Sequence, residues 1–228
     1  MNRILLQIEK KLPPVLTIHH WLMISSVFSM ILLLIRIIMT GHFTYVFLVW
    51  NLFLAGISYF VANWLSRNKQ IMEKRLKLLL ILFVWLLFMP NSFYILTDLF
   101  HLDDMNAGHE WFDLTMILSF AWSGILFGVL SIRKMEMLLK TAKGKFISGL
   151  VICGVMWLNA FGIYIGRFLR FNSWDVITNP FSLFGEIFNI LFNPYDYRYV
   201  WAMTSCFSFF MIILYFTIKK LSEHFSNS

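Results

Sequence analysis

Pro90-Asn91-Ser92-Phe93-Tyr94-Ile95-Leu96-Thr97-Asp98-Leu99-Phe100-His101-Leu102 closes an apolar run that begins near Leu76. A helix that crosses a bilayer needs about 20 mostly apolar residues, and this run has that length. At helical spacing Asn91, Tyr94, Asp98 and His101 fall in one line, at i, i+3, i+7 and i+10. A helix this apolar needs no carboxylate for its own stability. An ionisable side chain at the centre of a span costs about 2.5–3.5 kcal/mol, so this line is predicted to face protein or water.

The composition around it agrees. The chain has 228 residues, 59% of them hydrophobic, 14% charged, with 25 Phe and a mean hydropathy of +0.72. A soluble domain could not bury that much apolar surface, so the expected class is an integral membrane protein. The expected fold is all-α: a polytopic helix bundle of about six transmembrane helices plus a short amphipathic interfacial helix. The spans are predicted near Trp21–Met39, Phe43–Leu65, Leu76–Thr97, Leu114–Ile132, Phe146–Phe168 and Val200–Ile218. Residues 1–17 read as a cytoplasmic amphipathic segment ended by Pro13-Pro14, residues 18–220 as the membrane domain, and 221–228 as a cytoplasmic tail.

Charge sets the orientation. With the N-terminus inside, every lysine falls on the cytoplasmic side, and four of the nineteen basic residues (Arg36, Arg167, Arg170 and Arg198) fall outside. This is a strong positive-inside bias and predicts both termini in the cytoplasm of a cell whose plasma membrane holds the chain. The carboxylates run the other way: Asp98, Asp103, Asp104, Glu110, Asp113, Asp175, Glu186 and Asp196 lie outside. With its basic residues confined to loops beside apolar spans, the chain is not expected to bind nucleic acid. Phe181–Phe192, between Pro180 and Pro194, is too short to cross; Asn179 and Pro180 start it as a helix lying in the interface.

Three outer helix ends are polar. The third span ends in Asp98 and His101, the fourth begins near Asp113, and the fifth ends in Tyr164, Arg167, Arg170, Asn172, Trp174 and Asp175. The topology brings them to one depth, around a cavity open to the outer side. There Asp98 or Asp113 can pair with Arg167 or Arg170 as a structural lock. Alternatively, the two guanidinium forks can hold an anionic small molecule or a lipid headgroup. Asp98, His101, His109 and Asp113 offer carboxylate and imidazole ligands of the kind zinc or manganese takes. No His-Glu-x-x-His, cysteine-cluster, calcium-loop or glycine-rich phosphate pattern accompanies them, and no cofactor is expected. Cys153 and Cys206 read as small core residues. Gly124 with Gly128, and Gly162 with Gly166, predict close approach of neighbouring helices. Pro90 predicts a kink two turns before Asp98.

At four blocks the chain resembles the bacterial family known as domain of unknown function 1361. These are Pro90–Leu102 as quoted above, Trp111-Phe112-Asp113, Ser119-Phe120-Ala121-Trp122-Ser123-Gly124, and the stretch from Gly162 to Asp175, GIYIGRFLRFNSWD. The resemblance implies a multi-spanning bacterial membrane protein and supplies no activity. Three functions stay open. The first is binding or transport of a small anionic envelope ligand, with a membrane protein as partner. The second is a non-catalytic accessory subunit. The third is a metal-assisted enzyme acting on a lipid or cell-wall precursor.

Overall fold

A computed structural model describes residues 17–104 and 110–227, and for residues 69, 101–104, 226 and 227 the backbone alone. The predicted amphipathic segment at the N-terminus lies outside the described residues. Six helical segments are long and apolar enough to cross a membrane: Ile18–Thr40, Phe47–Arg67, Arg75–Phe100, Glu110–Lys143, Lys145–Arg167 and Arg198–Phe225. The helices are named α1 (Ile18–Thr40), α2 (Phe47–Arg67), α3 (Arg75–Phe88), α4 (Asn91–Tyr94), α5 (Glu110–Lys143), α6 (Lys145–Arg167), α7 (Asp175–Thr178), α8 (Pro180–Phe192) and α9 (Arg198–Asn227). No strand occurs among the described residues. The fold is therefore the all-helical, membrane-type bundle that the hydropathy implied.

α5 is the central post. It packs against α1 and α2 on one side and against α6 and the bent third span on the other, while α9 docks on α6. Two apolar cores result. One joins Leu33, Leu48 and Leu52 of the first two spans to Ile95 and to Met116, Ile117 and Phe120 of α5. The other joins Trp85, Met89 and Phe93 to Val129 and Ile132, and reaches Ile152, Met156, Met211 and Tyr215. Small polar groups stitch these cores together. The Ser131 hydroxyl donates to the Ser58 carbonyl at 2.9 Å, and the Trp85 indole N–H donates to Ser131 at 2.8 Å. Ser25 and Ser123 share a hydrogen bond of 2.7 Å. In a bilayer, where apolar burial does not drive helices together, such bonds contribute about 0.6–2 kcal/mol each.

The third span does not continue as one α-helix. α3 stops at Phe88, α4 is a single turn, and a 3-10 helix runs from Ile95 to Asp104. Pro90 has no N–H and cannot continue the ladder. The nearby carbonyls find side chains instead: the Ser173 hydroxyl donates to Leu87 O at 3.1 Å, and the Asn91 amide donates to Phe88 O at 3.0 Å. The change of helix type breaks the expected line of polar residues. Asn91 and Tyr94 face a cavity, whereas Asp98 turns toward α2 and α6.

Both glycine pairs receive this bend. A Cβ on Gly124 would lie 2.7 Å from the Ser92 carbonyl oxygen; one on Gly128 would lie 2.9 Å from the Phe93 ring and the Ser92 Cβ. On α6, a Cβ on Gly162 would sit 2.6 Å from Pro90 Cγ, and Gly166 lies against the Tyr94 ring. The glycines thus seat residues 90–95 between α5 and α6.

At the opposite end of the bundle Glu136, 3% exposed, fastens α5 to α9. It pairs with Lys219, accepts from the Tyr215 hydroxyl at 2.7 Å and pairs with Arg133 at 2.8 Å. One expectation is corrected here: Cys206 is exposed on α9 and so is not a core residue, although Cys153 is half-buried. Asn179 and Pro180 start α8 as expected, with Asn179 in the N-cap position and no capping bond from its side chain. α8 turns Leu183 and Ile190 inward and packs on Phe161 and Val200, leaving Phe181 and Phe192 exposed.

Candidate functional site

Asp98 is 1% exposed and sits where three spans meet. The Asn51 amide nitrogen on α2 donates to its Oδ2 at 3.1 Å, and Arg167 at the end of α6 donates to Oδ1 at 3.3 Å. Arg167 also stacks over the Phe100 ring, 5.7 Å from its centroid. The position of each group follows from local sequence. Asn51 opens the second turn of α2, and Arg167 is in the last turn of α6, where a cation complements the helix dipole. The 3-10 segment rotates Asp98 into the gap between them.

Asp113 belongs to a separate cluster. It is 3% exposed in the first turn of α5 and accepts from Arg36 Nε at 2.5 Å and Nη2 at 2.9 Å, a two-pronged pair. The Tyr45 hydroxyl adds a long bond of 3.4 Å, and its ring lies under the guanidinium, 6.0 Å away. Such pairing fits the planar fork of arginine, and lysine would not reproduce it. Arg36 interrupts the apolar run Ile35-Arg36-Ile37, a charge whose place in a span requires a partner.

A cavity of about 390 Å³ lies beside the Asp98 cluster, between α2, the bent third span, α6, α8 and the loop after α6. Its wall is mostly apolar. Polar groups enter it from Asn51, Asn91, Tyr94, Asn172 and Ser173. Trp50, Phe83, Leu158 and Phe184 line it and are also exposed, so it is continuous with the apolar outer surface of the bundle. Trp174, beside this wall, meets the Trp50 ring edge-on at 6.0 Å.

Among the ten sequence-derived site residues, Asn91, Tyr94 and Asn172 line the cavity. Asp98 and Arg167 meet each other just behind it, through Asn51. Asp113 does not join them, because Arg36 holds it on the α1 side of α5. Tyr164 stacks on Phe168, with ring centroids 5.3 Å apart. Arg170 is exposed at the end of α6 and directly precedes the lining residues Phe171, Asn172 and Ser173. It has φ +60°, the one positive value among described residues other than glycine. The Phe171 N–H bonds back to Ile165 O at 3.3 Å, so the chain folds back over the end of α6 with Arg170 in the left-handed conformation usually given to glycine. The His101 side chain and all of His109 lie outside the described residues. No three His, Cys, Asp or Glu side chains converge among the described residues in a way that could hold a metal. Arg36, Tyr45, Asn51 and Ser173 are the members of these clusters that the sequence reading did not assign a role.

Asp175 anchors the loop beneath the cavity. It accepts from the Asn172 backbone N–H at 2.6 Å and from the Thr178 hydroxyl at 2.8 Å. Its carboxyl is held below the ordinary range, first by the Asn172 N–H and next by Thr178. A depressed carboxylate stabilises the folded loop fully above its unfolded pKa of about 3.9 and loses that contribution as pH falls through the lower folded value. Amide exchange across residues 172–178, corrected for intrinsic rates, should stay protected from pH 7 to about 5 and rise below about 4. In Asp175→Asn it should be fast at every pH; protection unchanged by that substitution contradicts the assignment.

Six apolar helices around buried ion pairs and a laterally open cavity define a multi-pass helical membrane protein. The chain belongs to the family described as "Protein of unknown function (DUF1361)", whose profile matches residues 50–214. No curated protein and no solved structure matches the chain.

Proposed function

We propose that this protein binds an amphiphile taken from the bilayer, a lipid or a lipid-linked envelope precursor, in the cavity beside Asp98. The carrying observation is the cavity itself: an apolar space of about 390 Å³, open sideways where Phe83, Leu158 and Phe184 are exposed, with amide and hydroxyl groups along one wall. Pockets for small molecules have this make-up, mostly apolar with a few placed polar groups. An acyl or prenyl chain enters between helices, and the headgroup meets Asn51, Asn91, Asn172 and Ser173. The charge asymmetry of the loops supports an orientation with this end outside the cytoplasm. Of the two arginines first considered for an anionic group, Arg167 is engaged by Asp98, and Arg170 is the exposed cation next to the lining segment. A left-handed conformation costs a residue other than glycine about 1 kcal/mol, and such strain collects at functional positions. The accessory reading gains from Arg36–Asp113, which fastens α1 to α5 and lies apart from the cavity.

Native mass spectrometry of the purified chain tests this reading. Wild type should retain a lipid through detergent washing. Val176→Trp and Ile187→Trp, which fill the cavity from the loop and from α8, should lose it while staying monodisperse. Retention equal in wild type and both variants would refute cavity binding.

A further inference from the structure

The asparagines of the cavity wall have a fixed polarity. Asn51 directs its amide nitrogen to Asp98 Oδ2 at 3.1 Å. Asn91 directs its amide nitrogen to Phe88 O at 3.0 Å and to Ser173 Oγ at 3.2 Å. Asn172 turns its nitrogen to Asp175, at 3.5 Å the longest of the three. Carboxylates and backbone carbonyls only accept, so these partners set which end of each amide is nitrogen. The Ser173 hydroxyl hydrogen is likewise committed, to Leu87 O at 3.1 Å.

What remains for a ligand is mainly acceptor capacity: the carbonyl oxygens of Asn51, Asn91 and Asn172 and a lone pair of Ser173, against one further N–H each on Asn51 and Asn172. Tyr94 contributes a hydroxyl that can rotate either way, and Trp50 one indole N–H. The charge behind the wall is balanced, since Asp98 faces Arg167. Among the described residues neither an arginine nor a lysine lines the cavity. A bare phosphate or carboxylate placed against this wall meets oxygen lone pairs, whereas a group rich in N–H or O–H meets partners.

Building on the amphiphile reading, we propose that the cavity selects a lipid whose headgroup carries hydrogen-bond donors, an amine or hydroxyls, held by the carbonyl oxygens of Asn51 and Asn91. Any anionic part of the same headgroup lies toward Arg170 at the rim. Trp50 gives an ammonium or a sugar face an aromatic surface at the same wall. Asp98 acts as a positioning residue here, because it holds the Asn51 amide nitrogen and leaves the oxygen to the ligand.

Stepwise N-methylation isolates the donors without changing tail or phosphate. Wild type would be reloaded in native mass spectrometry with phosphatidylethanolamine, its mono- and dimethyl derivatives, and phosphatidylcholine, all with the same acyl chains. Retention should fall along the series and differ by at least about tenfold between the first and last, since even one lost charge-assisted hydrogen bond has that effect. Asn51→Leu, checked for folding by size exclusion, should flatten the series. Equal retention of all four lipids, still abolished by Ile187→Trp, would overturn donor selection and leave cavity binding standing. Retention indifferent to Ile187→Trp would overturn both.

Discussion

Asp98→Leu is expected to lose about 3–5 kcal/mol of stability, enough to remove most of the folded protein from a detergent extract. The substitution takes the Asp98 carboxylate away from the Arg167 guanidinium, whose side chain is 15% exposed, and takes the Asn51 amide's acceptor away. Removing one partner of a buried pair is far worse than removing both, because the survivor must be desolvated alone. Asp98→Leu combined with Arg167→Leu should therefore recover a large part of the loss. Asp98→Asn keeps one acceptor oxygen where the two donors now use different oxygens, and should fall between wild type and Asp98→Leu. Thermal unfolding followed by fluorescence-detected size exclusion ranks the four proteins. Wild-type stability in Asp98→Leu would mean that the pair holds nothing together.

Gly124→Ala and Gly162→Ala should each destabilise by about 1–3 kcal/mol, typical of forcing a methyl group into filled space. The obstacles are not flexible ends of side chains. For Gly124 the new methyl meets the Ser92 carbonyl oxygen at 2.7 Å, and for Gly162 it meets the Pro90 ring at 2.6 Å. Relief requires moving the bent segment, which carries Asn91 and Tyr94 on the cavity wall. Both variants should thus also lose bound lipid. Gly149→Ala and Gly154→Ala on the same α6 supply the matched control, since a Cβ at either position meets nothing within 4 Å. Those two should be stabilised by about 0.5–1 kcal/mol through helix propensity alone. An equal response at all four positions would refute the seating of residues 90–95 between α5 and α6.

Much of this architecture is visible in the chain because hydropathy and helix punctuation are local. The six spans follow from runs of apolar residues, and α8 follows from Pro180 and a length too short to cross. The break at Pro90 is also local, since it depends on one missing N–H. The 3-10 continuation from Ile95 is not, because it depends on where Asp98 finds Asn51 and Arg167. Lateral order is the other hidden variable. Arg36 announces by its setting that it needs a carboxylate, but choosing Asp113 over Asp98 requires knowing that α1 lies against α5. Asn51 was hidden for a simpler reason: an asparagine beside Trp50 in an apolar helix resembles any interfacial residue until the third span turns toward it. The glycine pairs were legible as close contacts, yet their partner proved to be one bent segment shared by both.

The knot around Glu136 has a consequence for how the chain is made. α9 leaves the ribosome after α5, and its Lys219 and Tyr215 complete the coordination of a carboxylate inserted earlier. Until then Arg133, one turn away on the same helix, is the cation at hand. A nascent chain stalled before Lys219 would carry a carboxylate met by Arg133 alone, without the second cation and the phenol that complete its shell.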